Sequence, residues 1–428
     1  MEPITHFLTG ACIGRAGLNR KTAYATLAAV LAAEAADIDV FWGLAGPVEE
    51  LKHHRGITHT FVAVPVVAAA AVGLVWLIDR GVRAWRKRKS AVGSDPNERT
   101  PVGVSGFPPI PQKDAERMGH PAGSAPNERT PVEVRGLPPI RKEREWMGHP
   151  VQDLLARQKI RWGWLYLTAL ISAMSHLMLD WTNNYGLRPF FPFNPRWYAG
   201  DLVFIAEPVI WALLAAALLI PALLGLVSGE IGARRTPFRG RGWAIFALTG
   251  IVLLWGWRWA EHGRARMLVE NAQIASAPVK RMAFEPYPIN PFRWHAILET
   301  DAYYQTAEIN TRTGEIVSDP QADVIYKPRE TAATLAAKRT LLGQVYLDWG
   351  TWAVVRDVGP EPAPGMEPPR LPPNRVWTTV EFTDLRFAYP FLGPGAEKNR
   401  NQPPLSGWVY IVDSREEAGE AMAGRQQR

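Results

Sequence analysis

Three short groupings of histidine and carboxylate stand out in the chain: Asp37-Ile-Asp39, His54-Arg-Gly-Ile-Thr-His59 and His176-Leu-Met-Leu-Asp180, with His6 near the N-terminus. Imidazole nitrogens and carboxylate oxygens are donors for divalent metal ions, and the four-residue spacing of His176 and Asp180 puts both on one helical face, a turn apart. Taken alone, that spacing also describes an ordinary helix side-chain pair. A single cysteine, Cys12, excludes a Cys-rich zinc module and an internal disulfide framework, so a metal would rest on histidine and carboxylate. Of the neighbours, His53 reads as a solvated loop histidine and Thr58 as the N-cap of the helix that follows. Glu34 reads either as a support to the group or as a snorkelling side chain.

The elements that must position these groups are apolar. A helix crossing ~30 Å of hydrocarbon needs about 20 mostly apolar residues, and residues 61–78, 162–181, 202–227 and 243–260 qualify. Residues 23–40 form a fifth expected span, with Glu34, Asp37 and Asp39 in its last half, and 4–13 a short helix before it. An isolated Asp at such depth costs ~2.5–3.5 kcal/mol on insertion scales, so a cation or a polar cavity must compensate it. Glu207-Pro208 reads as the ordinary first turn of a helix.

Charge orients the spans. The chain carries +7, and residues 80–161 hold 17 Lys+Arg against 9 Asp+Glu, which leaves the rest at −1. Basicity confined to one loop argues against a nucleic-acid-binding surface and matches cytoplasmic charge flanking membrane spans. Arg157, Lys159 and Arg161, and then Arg234, Arg235, Arg239 and Arg241, mark the same side. All three groupings then meet at the extracytoplasmic level, as does His6 if its helix descends to the basic turn at 15–21. The N-terminus lacks the basic region and cleavage site of a signal peptide and is expected to be retained.

Four regions follow. Residues 1–80 carry the first helices of the metal-site domain and 161–262 its remaining spans. Residues 81–160 form a Pro-rich insert in which Pro-Asn-Glu-Arg-Thr-Pro-Val occurs at 96–102 and again at 126–132. Two such copies cannot build a solenoid core, so the insert reads as a disordered linker and its His120 and His149 are discounted as ligands. Residues 263–428 read as soluble: strands at 294–299 and 303–310, a hairpin turn at 311–314 into 315–317, a helical run at 330–349, and strands at 376–387 and 408–412. The expected fold is mainly α, a polytopic helical membrane bundle with a small β-rich (α+β) C-terminal domain.

Thr5-His6, Asp37-Ile-Asp39, His54-Arg-Gly-Ile-Thr-His59, His176-Leu-Met-Leu-Asp180 and Asn184-Tyr-Gly together resemble the predicted membrane-bound metal-dependent hydrolase family of the YdjM type, over residues 1–260 minus the insert. The chain departs in having Ala36 where the family commonly has Pro, and Thr60 where it commonly has Ser. A more distant similarity is to the zinc-dependent phospholipase C superfamily, whose order His, Asp, His, His-x-x-x-Asp falls here on His6, Asp39, His54 or His59, His176 and Asp180. Its later histidines have no counterpart, which implies one or two metals rather than three. The resemblance implies a divalent metal, zinc by preference, held among His6, Asp37, Asp39, His54, His59, His176 and Asp180. Arg55 is the candidate catalytic residue, reading either as a fork for phosphate charge or as an interface arginine, and Arg55 with Asn184 as substrate-binding.

The expected function is hydrolysis of a phosphoester or lipid-linked substrate at the extracytoplasmic face of a bacterial inner membrane. Membrane lipid is the expected partner and no nucleic acid is. The alternative is a non-catalytic membrane scaffold or regulator with a structural metal and a partner-binding C-terminal domain. No Gly-rich phosphate loop, Gly-x-Ser-x-Gly elbow or dinucleotide fingerprint is present, against nucleotide-dependent chemistry and serine hydrolysis.

Overall fold

The computed structural model describes residues 2–92, 158–230, 240–391 and 403–427. Both copies of the repeat, with His120 and His149, lie outside them. The chain forms two compact units, residues 1–77 with 158–428 and residues 78–157, and what is described of the second is the end of a single helix.

Four described helices are long and apolar enough to cross a membrane: α4 (Ala63–Val92), α5 (Trp162–Thr182), α6 (Pro208–Glu230) and α7 (Arg241–Ala272). Helix α5 buries 44% of its apolar window and the other three 22% each, so α5 is the helix surrounded by protein and the others turn most of their surface outward. A pair of short helices, α1 (Pro3–Arg15) and α2 (Ala25–Glu34), packs beside it. Their approach is closed by glycine: a Cβ at Gly14 would lie 2.5 Å from Thr26 Cα, and one at Gly10 2.8 Å from Ala29 O. This is the small-residue contact by which helices associate without a solvent-driven hydrophobic force. On its other side α2 presents fully buried Ala28, Ala29 and Ala32, and Ser172 of α5 donates to Ala29 O at 2.6 Å.

The stretch expected as a fifth span ends early. Helix α2 has 10 residues, and the chain then tightens into a 3-10 segment, Ala35–Ala45, that carries Asp37 and Asp39. Helix α3 (Pro47–His53) follows, with His53 stacked on Trp42 rather than free in a loop, their centroids 4.0 Å apart. Thr58 does not cap α4: Thr60 Oγ1 accepts from Ala63 N at 3.0 Å, and Thr58 donates to Asp39 Oδ2 at 3.2 Å.

After α7 the chain is β-rich. The first antiparallel sheet is built from β1 (Arg281–Pro286), β2 (Arg293–Glu299), β3 (Tyr303–Asn310) and β4 (Glu315–Val317) in that order, with β5 (Val324–Tyr326) also pairing β3. Helices α8 (Ala332–Ala337) and α9 (Leu341–Trp349) lead into the second, whose order is β10-β9-β8-β7-β6: β6 (Ala353–Gly359), β7 (Trp377–Asp384), β8 (Gly407–Val412), β9 (Glu416–Met422) and β10 (Arg425–Gln426). Tyr346 and Trp349 of α9 fill its core against Phe382, Val409 and Ile411. Glu207, at the head of α6, is wholly buried and joins Arg258 of α7 at 3.0 Å, while it accepts from Ile289 N at 2.9 Å. It thus links the spans to the loop after β1 and lies outside the histidine groupings.

Candidate metal centre

Four elements bring the groupings together. Helix α1 supplies His6, the 3-10 segment Asp37 and Asp39, the turn before α4 His54 to His59, and α5 His176 and Asp180. His6, His59, His176 and Asp180 have no solvent exposure.

Each of His59 and His176 faces both Asp37 and Asp180. His59 Nε2 lies 3.2 Å from Asp37 Oδ1 and 3.4 Å from Asp180 Oδ2, and His176 Nε2 lies 3.6 Å and 3.3 Å from the same two oxygens. A small ion with bonds of about 2.0–2.1 Å holds neighbouring donors about 3.4 Å apart, and each of these four separations is close to that. His6 lies at the edge of the group, its Nε2 3.5 Å from Asp180 Oδ1 and its ring stacked on His176 at 3.7 Å. Among the described residues, both His6 nitrogens, His176 Nε2 and Asp37 Oδ2 are buried without a hydrogen-bond partner. Buried polar atoms left so are costly, and a divalent ion would satisfy them. Two overlapping triads, His6–His176–Asp180 and Asp37–His59–His176, each place their donors within 4.8 Å of one another.

The ring orientations are fixed from behind. His176 Nδ1 lies 2.6 Å from Ala33 O, which makes that nitrogen the N–H and turns the Nε2 lone pair toward the group. His59 Nδ1 faces Asp39 Oδ2 at 3.3 Å. Asp39 therefore stands behind the cluster rather than in it, also accepting from Arg55 N at 2.8 Å and facing His54 Nδ1 at 3.2 Å. Burial opposes protonation of His59, but its bonds to Asp37 and then Asp39 outweigh it and raise its pKa to about 9. Asp39→Asn should weaken binding of a divalent ion about 10–100-fold, the usual loss when an outer partner of a ligating histidine is removed. Titrating zinc into chelator-stripped protein checks this.

Arg55 is engaged inward. Its guanidinium meets Asp180 Oδ1 at 3.0 Å and donates to Gly186 O at 2.6 Å, with its face on Tyr185 at 4.5 Å. Its backbone is left-handed, φ +54, a conformation uncommon for residues other than glycine and one that persists at sites where surroundings enforce it. Asn184 is placed apart from the cluster, fully buried beside Glu285 of β1. Burial, and then Asp201, push the Glu285 carboxyl well above its usual range. Asn183, which sequence reasoning passed over, is the one that reaches the site's frame: its Oδ1 accepts from Tyr185 N at 2.8 Å and from Arg55 at 3.3 Å. Tyr185 was not singled out as a site residue either, although it stands in the Asn184-Tyr-Gly string; for Asn183 the only signal was its position directly after the α5 motif.

Asp37, His54 and Arg55 are reached through a cleft of about 380 Å³. A model of a family described as the YdjM inner membrane protein matches residues 1–265. No curated protein and no solved structure matches the chain, and the more distant similarity to the zinc-dependent phospholipase C superfamily finds no support.

Proposed function

The chain belongs to the YdjM inner membrane protein family, and we propose that its buried cluster is the centre of a metal-dependent hydrolase acting on phosphoesters. The observation that carries this reading is the set of donor separations near 3.4 Å at the end of an open cleft. Histidine and carboxylate donors at that spacing favour zinc. When bound, such an ion lowers the pKa of its water toward ~7 and polarises a phosphoryl oxygen.

The chain's own groups supply the rest. Asp39 and Ala33 O fix the rings of His59 and His176, and Arg55 holds Asp180 while adding positive charge at the floor of the cleft. His54, half-buried on that floor and held through Nδ1 by Asp39, is placed to hand a proton to the leaving group. The balance is that of hydrolysis: a water oxygen bonds to phosphorus, the ester P–O bond breaks, and the departing alkoxide takes up a proton.

In the test, full-length protein is assayed with p-nitrophenyl phosphate. Turnover should stop with a chelator and return with zinc, and His54→Ala should lower it by about 100-fold or more with metal content retained, as expected for loss of a general acid. Protein that holds its metal and turns over no phosphoester would be the scaffold with a structural ion instead.

The reading also sets the cluster and the C-terminal domain on the extracytoplasmic side, supported by the basic residues that bracket the opposite ends of the spans. Cys12 is fully buried and is the chain's sole cysteine, so Val376→Cys, at a position 71% exposed, gives a clean label. A membrane-impermeant maleimide should label it in intact cells. Labelling only after lysis would invert the topology.

A further inference from the structure

The cleft above the cluster has two unlike walls. Its floor is polar, with Asp37, His54 and Arg55, and its near wall comes from the 3-10 segment Ala35–Ala45 and α3 through Val40, Pro47 and Leu51. The far wall belongs to the C-terminal domain, outside the family-matched region, through Leu405, Met422 and Ala423. That wall is fastened in place. Gln427 accepts from Val48 N at 2.8 Å and donates to Ala45 O at 2.9 Å, and Arg425 pairs with Glu50 at 2.9 Å. The chain passes so close here that a Cβ on Gly46, whose φ is +124, would overlap the Gln427 amide.

The rim is apolar and faces outward. Pro3 and Val40 line the cleft, and along the same two elements Ile4 and Phe7 of α1 and Phe41 and Leu44 of the 3-10 segment are exposed, Leu44 by 78%. An apolar surface of this kind marks contact with lipid or a partner. Four spans in the same chain supply the lipid, and the rim joins that surface to a polar floor suited to phosphate. A volume of about 380 Å³ is that of an ordinary small-molecule site.

We infer that the cleft binds a phosphate-headed lipid, with the phosphate at the Arg55 end and an acyl chain against Leu405, Met422 and Ala423. The C-terminal domain is then half of the binding site and sets its preference for amphiphiles. The choice of headgroup rests on the hydrolase reading; the seating of the chain does not.

The test uses full-length protein in phosphatidylcholine nanodiscs with phosphatidic acid bearing a diazirine on one acyl chain. Crosslinks should map to residues 403–427 and be competed by unlabelled phosphatidic acid. Leu405 and Ala423 have left-handed backbones, φ +69 and +50, which Asn and Asp adopt more readily than most residues. Leu405→Asn and Ala423→Asp therefore suit the local backbone while making the wall polar, and retained metal content reports that the folded site survives. Each should lower the crosslink about 4- to 15-fold, the loss expected for one or two buried methylene contacts, with bound metal unchanged. Crosslinks confined to α4, α5, α6 and α7 would mean annular lipid only and overturn the proposal, whatever the enzyme does. Crosslinks at 403–427 in a protein that hydrolyses no phosphoester would keep the lipid site and remove the hydrolase.

Discussion

Replacing His176 by alanine is expected to lower the affinity for a divalent ion by at least about 100-fold, more than the loss typical of an outer partner. His176 is the one residue common to both triads, so its removal takes a donor from each. Its Nε2 stands 3.6 Å from Asp37 and 3.3 Å from Asp180, and the other histidines beside these carboxylates, His59 and His6, are already donors of the triads and cannot make up the lost one. Metal content by elemental analysis and a zinc titration of the stripped protein both read the result. Undiminished metal in His176→Ala would show that the groupings are polar pairs between helices, and the hydrolase reading would go with them.

The second large effect is on stability. Glu207 and Arg258 are both fully buried and 3.0 Å apart, and Arg258 also donates to Tyr287 O at 3.0 Å. Glu207→Ala leaves a guanidinium buried without its counter-charge, a change that costs about 3–5 kcal/mol. Thermal unfolding in detergent should register it as a large fall in the midpoint, and the double variant Glu207→Met with Arg258→Met should recover much of the loss, because an apolar pair carries no desolvation penalty. The folded fraction of either variant should hold its metal, since Glu207 touches none of the cluster. A midpoint unchanged in Glu207→Ala would mean that water reaches this joint.

The helical half was legible because membrane spans leave an unmistakable composition, and the α5 motif because a four-residue spacing has one meaning on a helix. Asp37 and Asp39 show what spacing does not reveal. Two residues apart, they stand on opposite sides of the His59 ring, Asp37 at Nε2 and Asp39 at Nδ1, and the sequence offers both with equal force. Arg55 reads from sequence either as a fork for phosphate charge or as an interface arginine, because an arginine between two histidines carries no mark of its partner; Asp180, with which it pairs, lies on a helix far away in the chain. In the β-rich half, β2, β3 and β8 announced themselves through aromatic and branched residues. Strand β9, Glu-Glu-Ala-Gly-Glu-Ala-Met, did not: its extended form comes from its register with β8, which is a tertiary fact.

The glycine contact between α1 and α2 reaches beyond helix packing. With backbone against backbone at Gly10 and Gly14, the hairpin that carries His6 at one end and leads into Asp37 at the other has no slack to take up. Ala33 O, from the same helix, pins His176 at 2.6 Å. A cage built on such supports would discriminate by ionic radius as well as by donor type. Calcium, whose bonds run at 2.3–2.6 Å and which asks for six to eight oxygens, would have to spread closely packed helices, whereas an ion with short bonds and few ligands would ask for less movement.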